Sequence, residues 1–180
     1  MKNYEIRLSG SGGQGLILAG IILGRAAVID KRRVTQTQSY GPESRGGSSR
    51  ADVIISDQEI YYPEATSFDC LLALTQEACD KYLFDLRENG ILIIDTTFVK
   101  NLALAAEHTY ELPFTEIAIE KLGSPISTNI LSLAFLVKIT GIVKENSLKQ
   151  SISESVKPAF VDLNLKAMKL GFELAAKYKK

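Results

Sequence analysis

Residues 4–29 read YEIRLSGSGGQGLILAGIILGRAAVI and contain three features in succession. The first part, Tyr4 to Ser9, alternates apolar and polar residues, as expected of a β-strand. A glycine-rich loop follows from Gly10 to Gly15. The apolar run after it, Leu16 to Ile29, predicts a helix that is buried on nearly all sides. A strand, a glycine loop and a helix in this order are typical of the first unit of an α/β protein.

The predicted helix carries small residues at regular spacing. Gly20, Gly24 and Ala27 fall at positions i, i+4 and i+7, which lie on one face of a helix. A glycine inside a helix costs roughly 1 kcal/mol relative to alanine. We therefore expect this face to pack closely on a sheet, which would compensate for that cost.

The rest of the chain alternates strand patterns and helix patterns before becoming mostly helical. Further strands are predicted at Val34–Ser39, Ala51–Ser56, Phe68–Leu74, Ile91–Asp95 and Tyr110–Phe114. Helices are predicted at Gln76–Arg87 (capped by Thr75), Glu116–Leu122, Thr128–Thr140, Glu145–Ser155 and Val161–Tyr178. We expect one α/β domain over residues 1–180: a Rossmann-like, three-layer fold with a mainly parallel sheet and a helical C-terminal third.

Composition excludes several classes of protein. Basic and acidic residues balance at 21 each, so there is no overall field to attract nucleic acid or a membrane surface. The longest apolar stretch, Leu16 to Gly24, is too short to cross a bilayer, and no secretory signal is visible. We therefore expect a cytoplasmic protein that binds neither nucleic acid nor membrane.

Side chains for independent catalysis are not evident. The chain has two cysteines without a Cys-x-x-Cys pattern and one histidine, so we expect no iron–sulfur cluster or zinc site. Cys70 lies in an apolar run and is interpreted as a core residue, and His108 as a surface residue. Asp95 ends a predicted buried strand, where it either faces a ligand crevice or holds a turn.

The loop from Gly10 to Gly15 matches G-x-G-x-x-G between a strand and a helix. Backbone N–H groups at a helix N-terminus bind anions, although a plain tight turn explains the glycines too. A dinucleotide site would need an acidic residue at the end of the second strand. Asp30 has the right spacing but ends the helix, which argues against NAD. A P-loop would have a lysine directly after the final glycine. This chain has Leu16 at that position, which argues against ATP hydrolysis by a P-loop.

A second motif, TQSYGPESRGG, spans Thr37–Gly47. Pro42 restricts the backbone, and Arg45 offers a planar donor group for phosphate or carboxylate. A structured turn with an Arg–Glu pair is the simpler alternative. Both loops follow the C-terminal ends of predicted strands, where open α/β sheets bind ligands. The predicted binding residues are Gly10, Ser11, Gly12, Gly13, Gln14, Gly15, Tyr40, Gly41, Glu43, Arg45, Gly46 and Gly47.

Together these motifs resemble one known family. The stretches Ser9–Gly20 and Thr35–Gly47, and the spacing between them, resemble the gamma subunits of 2-oxoacid:ferredoxin oxidoreductases. Ala51–Ser56 is similar to the strand that follows in that family, and Gly123–Asn129 to its later Gly…Asn segment. The likeness covers nearly the whole chain, and its second motif is most similar to the 2-oxoglutarate branch.

The resemblance implies a division of labour among subunits. The holoenzyme converts a 2-oxoacid into acyl-CoA, carbon dioxide and reduced ferredoxin. Thiamine diphosphate with magnesium, and the iron–sulfur clusters, would belong to partner alpha, beta and delta subunits, and electrons would reach ferredoxin through the complex. This chain would bind no cofactor alone and would not be catalytic alone. It would shape the complex and help to hold coenzyme A.

The resemblance also suggests roles within the two loops. The glycine amides and the Gln14 side chain would donate hydrogen bonds to a phosphate. Tyr40, Glu43 and Arg45 would order the second loop, with Arg45 in contact with phosphate. Two alternatives remain open at this point: a stand-alone Rossmann-type oxidoreductase, and an interaction module whose loops contact only neighbouring subunits.

Overall fold

The computed structural model describes residues 3–40, 48–104 and 106–178. The strands are β1 (Tyr4–Ser11), β2 (Arg33–Tyr40), β3 (Ser48–Ser56), β4 (Phe68–Ala73), β5 (Leu86–Asp95) and β6 (His108–Leu112). The helices are α1 (Leu16–Ile29), α2 (Gln76–Tyr82), α3 (Phe114–Leu122), α4 (Thr128–Thr140), α5 (Glu145–Ser155) and α6 (Pro158–Ala176). Short 3-10 turns occupy Leu83–Asp85 and Pro125–Ser127.

The six strands form one sheet in the order β2-β3-β1-β4-β5-β6. Strands β1, β4, β5 and β6 are parallel neighbours, whereas β3 is antiparallel to both β1 and β2. Within the described residues β3 is therefore the strand that runs against the other five. The prediction of a mainly parallel sheet with a helical C-terminal third is confirmed.

Alternate residues of the strands supply two separate cores. On one side Ile6, Leu8, Cys70 and Leu72 pack with residues of α1 and α4–α6. On the other side Leu71, Leu92 and Ile94 pack with α2 and with Val99. Because successive strand residues point to opposite faces, the two helical layers and the sheet make the expected three layers.

Helix α1 begins and ends where the sequence predicts, and its small face lies on the sheet. A Cβ atom added at Gly20 would lie 2.8 Å from the Cβ atom of Ala51, and one added at Gly24 would lie 3.3 Å from Cγ1 of Val34. The predicted close packing is confirmed. The prediction of burial on nearly all sides is wrong, because Ile21, Arg25 and Val28 form an exposed stripe beside the outermost strand β2.

The predicted end of α2 is also wrong. The helix begins after Thr75, whose side chain caps it as expected, but it ends at Tyr82, five residues before Arg87. Arg87 belongs to β5 and its guanidinium pairs with Glu5 and Asp69 at the ends of β1 and β4. This ion-pair network links β1, β4 and β5. With Arg87 included, β5 begins before the apolar run that predicted it. The predicted start of β5 at Ile91 is therefore wrong, because the strand begins five residues earlier at Leu86, and the remaining predicted boundaries lie within about three residues of those observed.

No helix of the described residues is long and apolar enough to span a membrane.

Gly20→Ala tests the close packing of α1. Alanine normally favours a helix over glycine by about 1 kcal/mol. Here the added methyl group collides with Ala51, so we expect the free energy of unfolding to fall by about 1–3 kcal/mol. Chemical denaturation of the full chain measures this change. Gly24→Ala is the matched control, and its longer contact predicts a clearly smaller loss. A stabilised Gly20→Ala variant would contradict the packing argument.

Candidate functional site

The two motif loops leave the sheet at the same edge. Strand β1 ends at Ser11 and β2 ends at Tyr40, with the start of β3 between them. Ser49 of β3 is paired with Gly10 on one side and with Tyr40 on the other. Since neighbouring strands lie about 4.8 Å apart, the two strand ends are about 10 Å apart. The structure thus brings the starts of both predicted loops together.

Residues 41–47 lie outside the described residues, and with them the predicted site residues Gly41, Glu43, Arg45, Gly46 and Gly47. Tyr40 is described only as the end of β2. Their roles remain predictions.

A side chain closes the first loop from within. The Gln14 backbone N–H donates to the Ser11 carbonyl at 3.3 Å, and the Ser11 N–H donates to Oε1 of Gln14 at 2.7 Å. A Cβ atom at Gly10 would lie only 2.2 Å from Oε1 of Gln14. Glycine at position 10 therefore leaves the space in which the Gln14 side chain folds back. The side-chain oxygen Oε1 of Gln14 accepts a hydrogen bond within the loop. Only the side-chain nitrogen Nε2 is therefore left to donate to a ligand.

The loop presents backbone donors at the start of α1. Gly13 and Gly15 have φ angles of 92° and 73°, which L-residues with a side chain rarely adopt. The first intrahelical bond runs from the Ala19 N–H to the Gly15 carbonyl at 3.0 Å. The amides of Leu16, Ile17 and Leu18 therefore have no acceptor within the helix. With no acidic residue in the first turn, this helix start favours an anion.

Asn129 at the start of α4 holds the loop from the other half of the chain. Its Nδ2 donates to the Gly15 carbonyl at 3.2 Å, while its Oδ1 accepts from the Ile130 N–H at 2.8 Å. The residue is buried, and a Cβ atom at Gly15 would lie 2.4 Å from its Nδ2. Sequence patterns indicated no role for Asn129 beyond its place in the similar Gly123–Asn129 segment, because the contact spans 114 residues.

Several helices begin at this same edge. Helices α1, α2 and α3 follow the carboxyl ends of β1, β4 and β6, and the start of α4 is joined to the edge through Asn129. Each helix start carries a partial positive charge, about half an elementary charge for a long helix. Since Glu77 and Glu116 lie in the first turns of α2 and α3, the starts of α1 and α4 are the ones that favour an anionic ligand.

Asp95 serves this edge as a structural carboxylate. Its Oδ1 accepts from the Thr97 N–H at 3.0 Å, and its Oδ2 accepts from the Thr115 N–H at 3.1 Å and from the Thr115 hydroxyl at 2.5 Å. The side chain is fully buried. Of the two interpretations of Asp95, the turn carboxylate is the one that the structure shows.

The described residues contain no reactive thiol and no metal-binding cluster. Burial raises the pKa of the Cys79 thiol to about 11, and burial also raises the pKa of Cys70 above its usual value. Neither is therefore a thiolate nucleophile at neutral pH. His108 is exposed, as predicted. No group of three or more His, Cys, Asp or Glu in these parts of the chain has a geometry that would hold a metal ion.

A buried ion pair lies on the sheet face that carries α2. Arg7 of β1 donates from Nε and Nη2 to the two oxygens of Asp52 on β3, both at 2.7 Å. The guanidinium is stacked between two rings, with its carbon 3.9 Å from the centroid of Phe68 and 4.4 Å from that of Tyr82. Sequence patterns missed this pair, because its members are 45 residues apart and each looks like an exposed strand residue.

The Arg7–Asp52 pair predicts a large effect of Asp52→Asn. Loss of the Asp52 charge leaves the buried Arg7 with only the longer contact to the half-exposed Asp85 carboxylate at 3.6 Å, so we expect the free energy of unfolding to fall by about 3–5 kcal/mol. Urea denaturation of the full chain measures this change. Glu173→Gln removes a carboxylate from the exposed pair with Lys169 and should cost less than about 1 kcal/mol. Equal costs for the two variants would contradict the assigned importance of the buried pair.

Taken together, the fold and the site define a Rossmann-like α/β protein whose glycine loop and helix starts converge at one edge of a mixed sheet. The chain matches the family model described as pyruvate ferredoxin/flavodoxin oxidoreductase over residues 5–174. It therefore belongs to that family. The resemblance seen in the sequence motifs is confirmed.

Similar proteins agree with this assignment. The chain is 45% identical to 2-oxoglutarate synthase subunit KorC of Methanocaldococcus jannaschii, over 95% of this chain and 93% of that protein. Its structure is similar to that of a keto/oxoacid ferredoxin oxidoreductase gamma subunit from Geobacter sulfurreducens, with a TM-score of 0.90 and 45% identity over 100% of both chains. The chain is a gamma-type oxidoreductase subunit. This assignment is favoured over the alternative of a stand-alone Rossmann-type oxidoreductase.

The same fold occurs within a larger protein. The 2-oxoglutarate:ferredoxin oxidoreductase of Magnetococcus marinus, solved with 2-oxoglutarate, coenzyme A and succinyl-CoA bound, matches with a TM-score of 0.87. The match covers 100% of this chain and 32% of that one at 23% identity, so it shows a shared fold.

Proposed function

We propose that this chain is the gamma subunit of a 2-oxoglutarate:ferredoxin oxidoreductase. The complex would convert 2-oxoglutarate and coenzyme A into succinyl-CoA and carbon dioxide, and would pass the electrons to ferredoxin. The observation that carries this proposal is the 45% identity to a 2-oxoglutarate synthase subunit over nearly the full length of both chains.

Within that complex, this chain helps to bind coenzyme A. Coenzyme A is a polyanion, and the edge formed by the Gly10–Gly15 loop offers backbone N–H groups at the start of α1. The start of α4, which has no acidic residue in its first turn, adds to the positive potential there. The bound coenzyme A named for the Magnetococcus marinus enzyme, part of which has this fold, supports the choice of ligand.

The chemical steps belong to other subunits under this proposal. Decarboxylation of a 2-oxoacid calls for a thiamine cofactor, and electron transfer to ferredoxin calls for a redox cofactor such as an iron–sulfur cluster. We assign thiamine diphosphate, its magnesium ion and the clusters to partner alpha, beta and delta subunits. This chain then supplies binding and assembly rather than a reacting group.

An interaction module is the second candidate function. The exposed stripe of Ile21, Arg25 and Val28 lies beside the outermost strand β2, where it could contact another subunit. Under this alternative the glycine loops contact only neighbouring chains. Hydrogen exchange of the assembled complex separates the two functions, because coenzyme A would slow exchange of the Gly12–Leu18 amides only if it binds there.

Isolation of the native complex tests the assignment directly. The chain would be tagged in its own host and purified without oxygen, and the proteins that accompany it identified by mass spectrometry. We expect thiamine-binding and iron–sulfur subunits, together with reduction of ferredoxin that depends on 2-oxoglutarate and coenzyme A. A colourless protein without partners that turns over nicotinamide cofactors would refute the proposal.

Arg45→Ala tests the role predicted for the second loop. Loss of a guanidinium that contacts phosphate removes a charge-assisted hydrogen bond, so we expect the KM for coenzyme A to rise about tenfold or more. The KM for 2-oxoglutarate and the subunit composition of the purified complex should not change. Arg45→Lys keeps the charge and should recover part of the loss. An unchanged KM for coenzyme A would remove Arg45 from the site.

A further inference from the structure

One peptide group at the start of α1 is held by a side chain from the other half of the chain. The carbonyl of Gly15 accepts two hydrogen bonds, from the Ala19 N–H at 3.0 Å and from Nδ2 of Asn129 at 3.2 Å. These two donors use both lone pairs of the oxygen. The orientation of the peptide plane between Gly15 and Leu16 is therefore fixed from inside the protein.

The N–H group of the same peptide points the other way. The peptide bond between Gly15 and Leu16 is planar and trans, so its C=O and N–H groups point in opposite directions. The Gly15 carbonyl points into α1, toward the Ala19 N–H. The Leu16 N–H therefore points out of the helix start, and it has no acceptor among the described residues.

The hydrogen bonds to the Gly15 carbonyl also make the Leu16 N–H a stronger donor, because they polarise the whole peptide group. Asn129 is buried with 3% exposure, and the low dielectric there strengthens this effect. Its Oδ1 accepts from the Ile130 N–H at 2.8 Å, so the Nδ2 side of the amide faces Gly15. An asparagine suits both contacts, whereas an ionised aspartate would have no proton to donate.

The start of α4, which carries Asn129, is fixed by bonds of its own. The Thr128 hydroxyl donates to the Thr115 hydroxyl at 3.4 Å, and the Thr115 hydroxyl donates to Oδ2 of Asp95 at 2.5 Å. All three side chains are buried. Asn129 is thus placed by a framework that does not depend on the glycine loop.

Resting on the proposed function, we propose that Asn129 is a positioning residue for coenzyme A. It orients and polarises the peptide between Gly15 and Leu16, so that the Leu16 N–H donates to a phosphate oxygen of the ligand. Asn129 acts through this peptide and does not touch the ligand. Hydrogen bonds weaken steeply as the donor turns away from its acceptor. Without the Asn129 amide the peptide can tilt, and its hold on the phosphate weakens.

The test compares two buried hydrogen bonds that end on the same helix. Asn129→Ala removes the donor to the Gly15 carbonyl at the start of α1. Ser151→Ala is the matched control, because the fully buried Ser151 hydroxyl donates to the Ile22 carbonyl at 2.7 Å. Ile22 lies about 10 Å further along α1. Each variant loses a long-range bond to an α1 carbonyl, so both should lower the urea midpoint of the full chain.

Asn129→Ala alone should change ligand binding. Isothermal titration calorimetry on the complete oxidoreductase complex would give Kd for coenzyme A. We expect Kd to rise about fivefold or more for Asn129→Ala, as for a weakened charge-assisted contact, and to stay within about twofold for Ser151→Ala. The KM for coenzyme A should rise with Kd. The kcat at saturating coenzyme A should not change, because the proposed function places the chemical steps in other subunits.

Equal effects of the two variants on Kd, or an unchanged Kd for Asn129→Ala, would overturn this assignment. Binding of coenzyme A by the wild-type complex would keep the proposed function in place in either case. A wild-type complex that neither binds coenzyme A nor acts on 2-oxoglutarate would instead refute the proposed function. If Asn129→Ala prevents assembly, the titration is made with Asn129→Asp, which keeps the acceptor for the Ile130 N–H but places an oxygen against the Gly15 carbonyl. A wild-type Kd in that variant would count against the assignment.

Discussion

The hydrogen bond between Asn129 and the Gly15 carbonyl joins the two halves of this chain. Gly15 adopts a left-handed conformation, and its missing side chain leaves the space that the Asn129 amide occupies. The contact fixes the start of α4 against the start of α1, so the C-terminal helices are placed directly behind the glycine loop. Without it, the loop would be linked to the C-terminal helices only through the apolar core that α1 shares with α4–α6 and through bonds such as that of the Ser151 hydroxyl to the Ile22 carbonyl.

Polar groups near this edge divide into two sets. Gln14 accepts a hydrogen bond within the glycine loop. Asp95 accepts hydrogen bonds in the turn after β5 and from Thr115 at the start of α3. Backbone amides at the start of α1 keep donors that these internal bonds do not use. Hydrogen bonds within the protein hold this edge in place while some N–H groups still have no acceptor. Such an edge is preorganised for an anion, because binding then requires little reordering. This arrangement agrees with a subunit that positions a ligand for chemistry performed elsewhere.

Local sequence patterns predicted much of this structure. The limits of α1, α4 and α5 agree with the pattern of apolar residues, and the small residues of α1 were correctly assigned to its contact with the sheet. The end of α2 was predicted wrongly, because Arg87 looks like a helix residue until its ion pairs with Glu5 and Asp69 are known. Burial of α1 was overestimated, because apolar residues alone do not reveal which side lacks a neighbour.

Local sequence patterns were sufficient to predict the strand–loop–helix unit, the number of layers and the common edge at which both motif loops begin, since each depends on residues close together in the chain. The reversed direction of β3, the Arg7–Asp52 pair and the contact of Asn129 with Gly15 emerged from the folded structure alone. The β1–β3 pairs and these two contacts join residues between 37 (Ser11 and Ser48) and 114 positions apart. Their free energy comes from packing and desolvation in the folded chain, and no local pattern of side chains specifies which distant partners will meet.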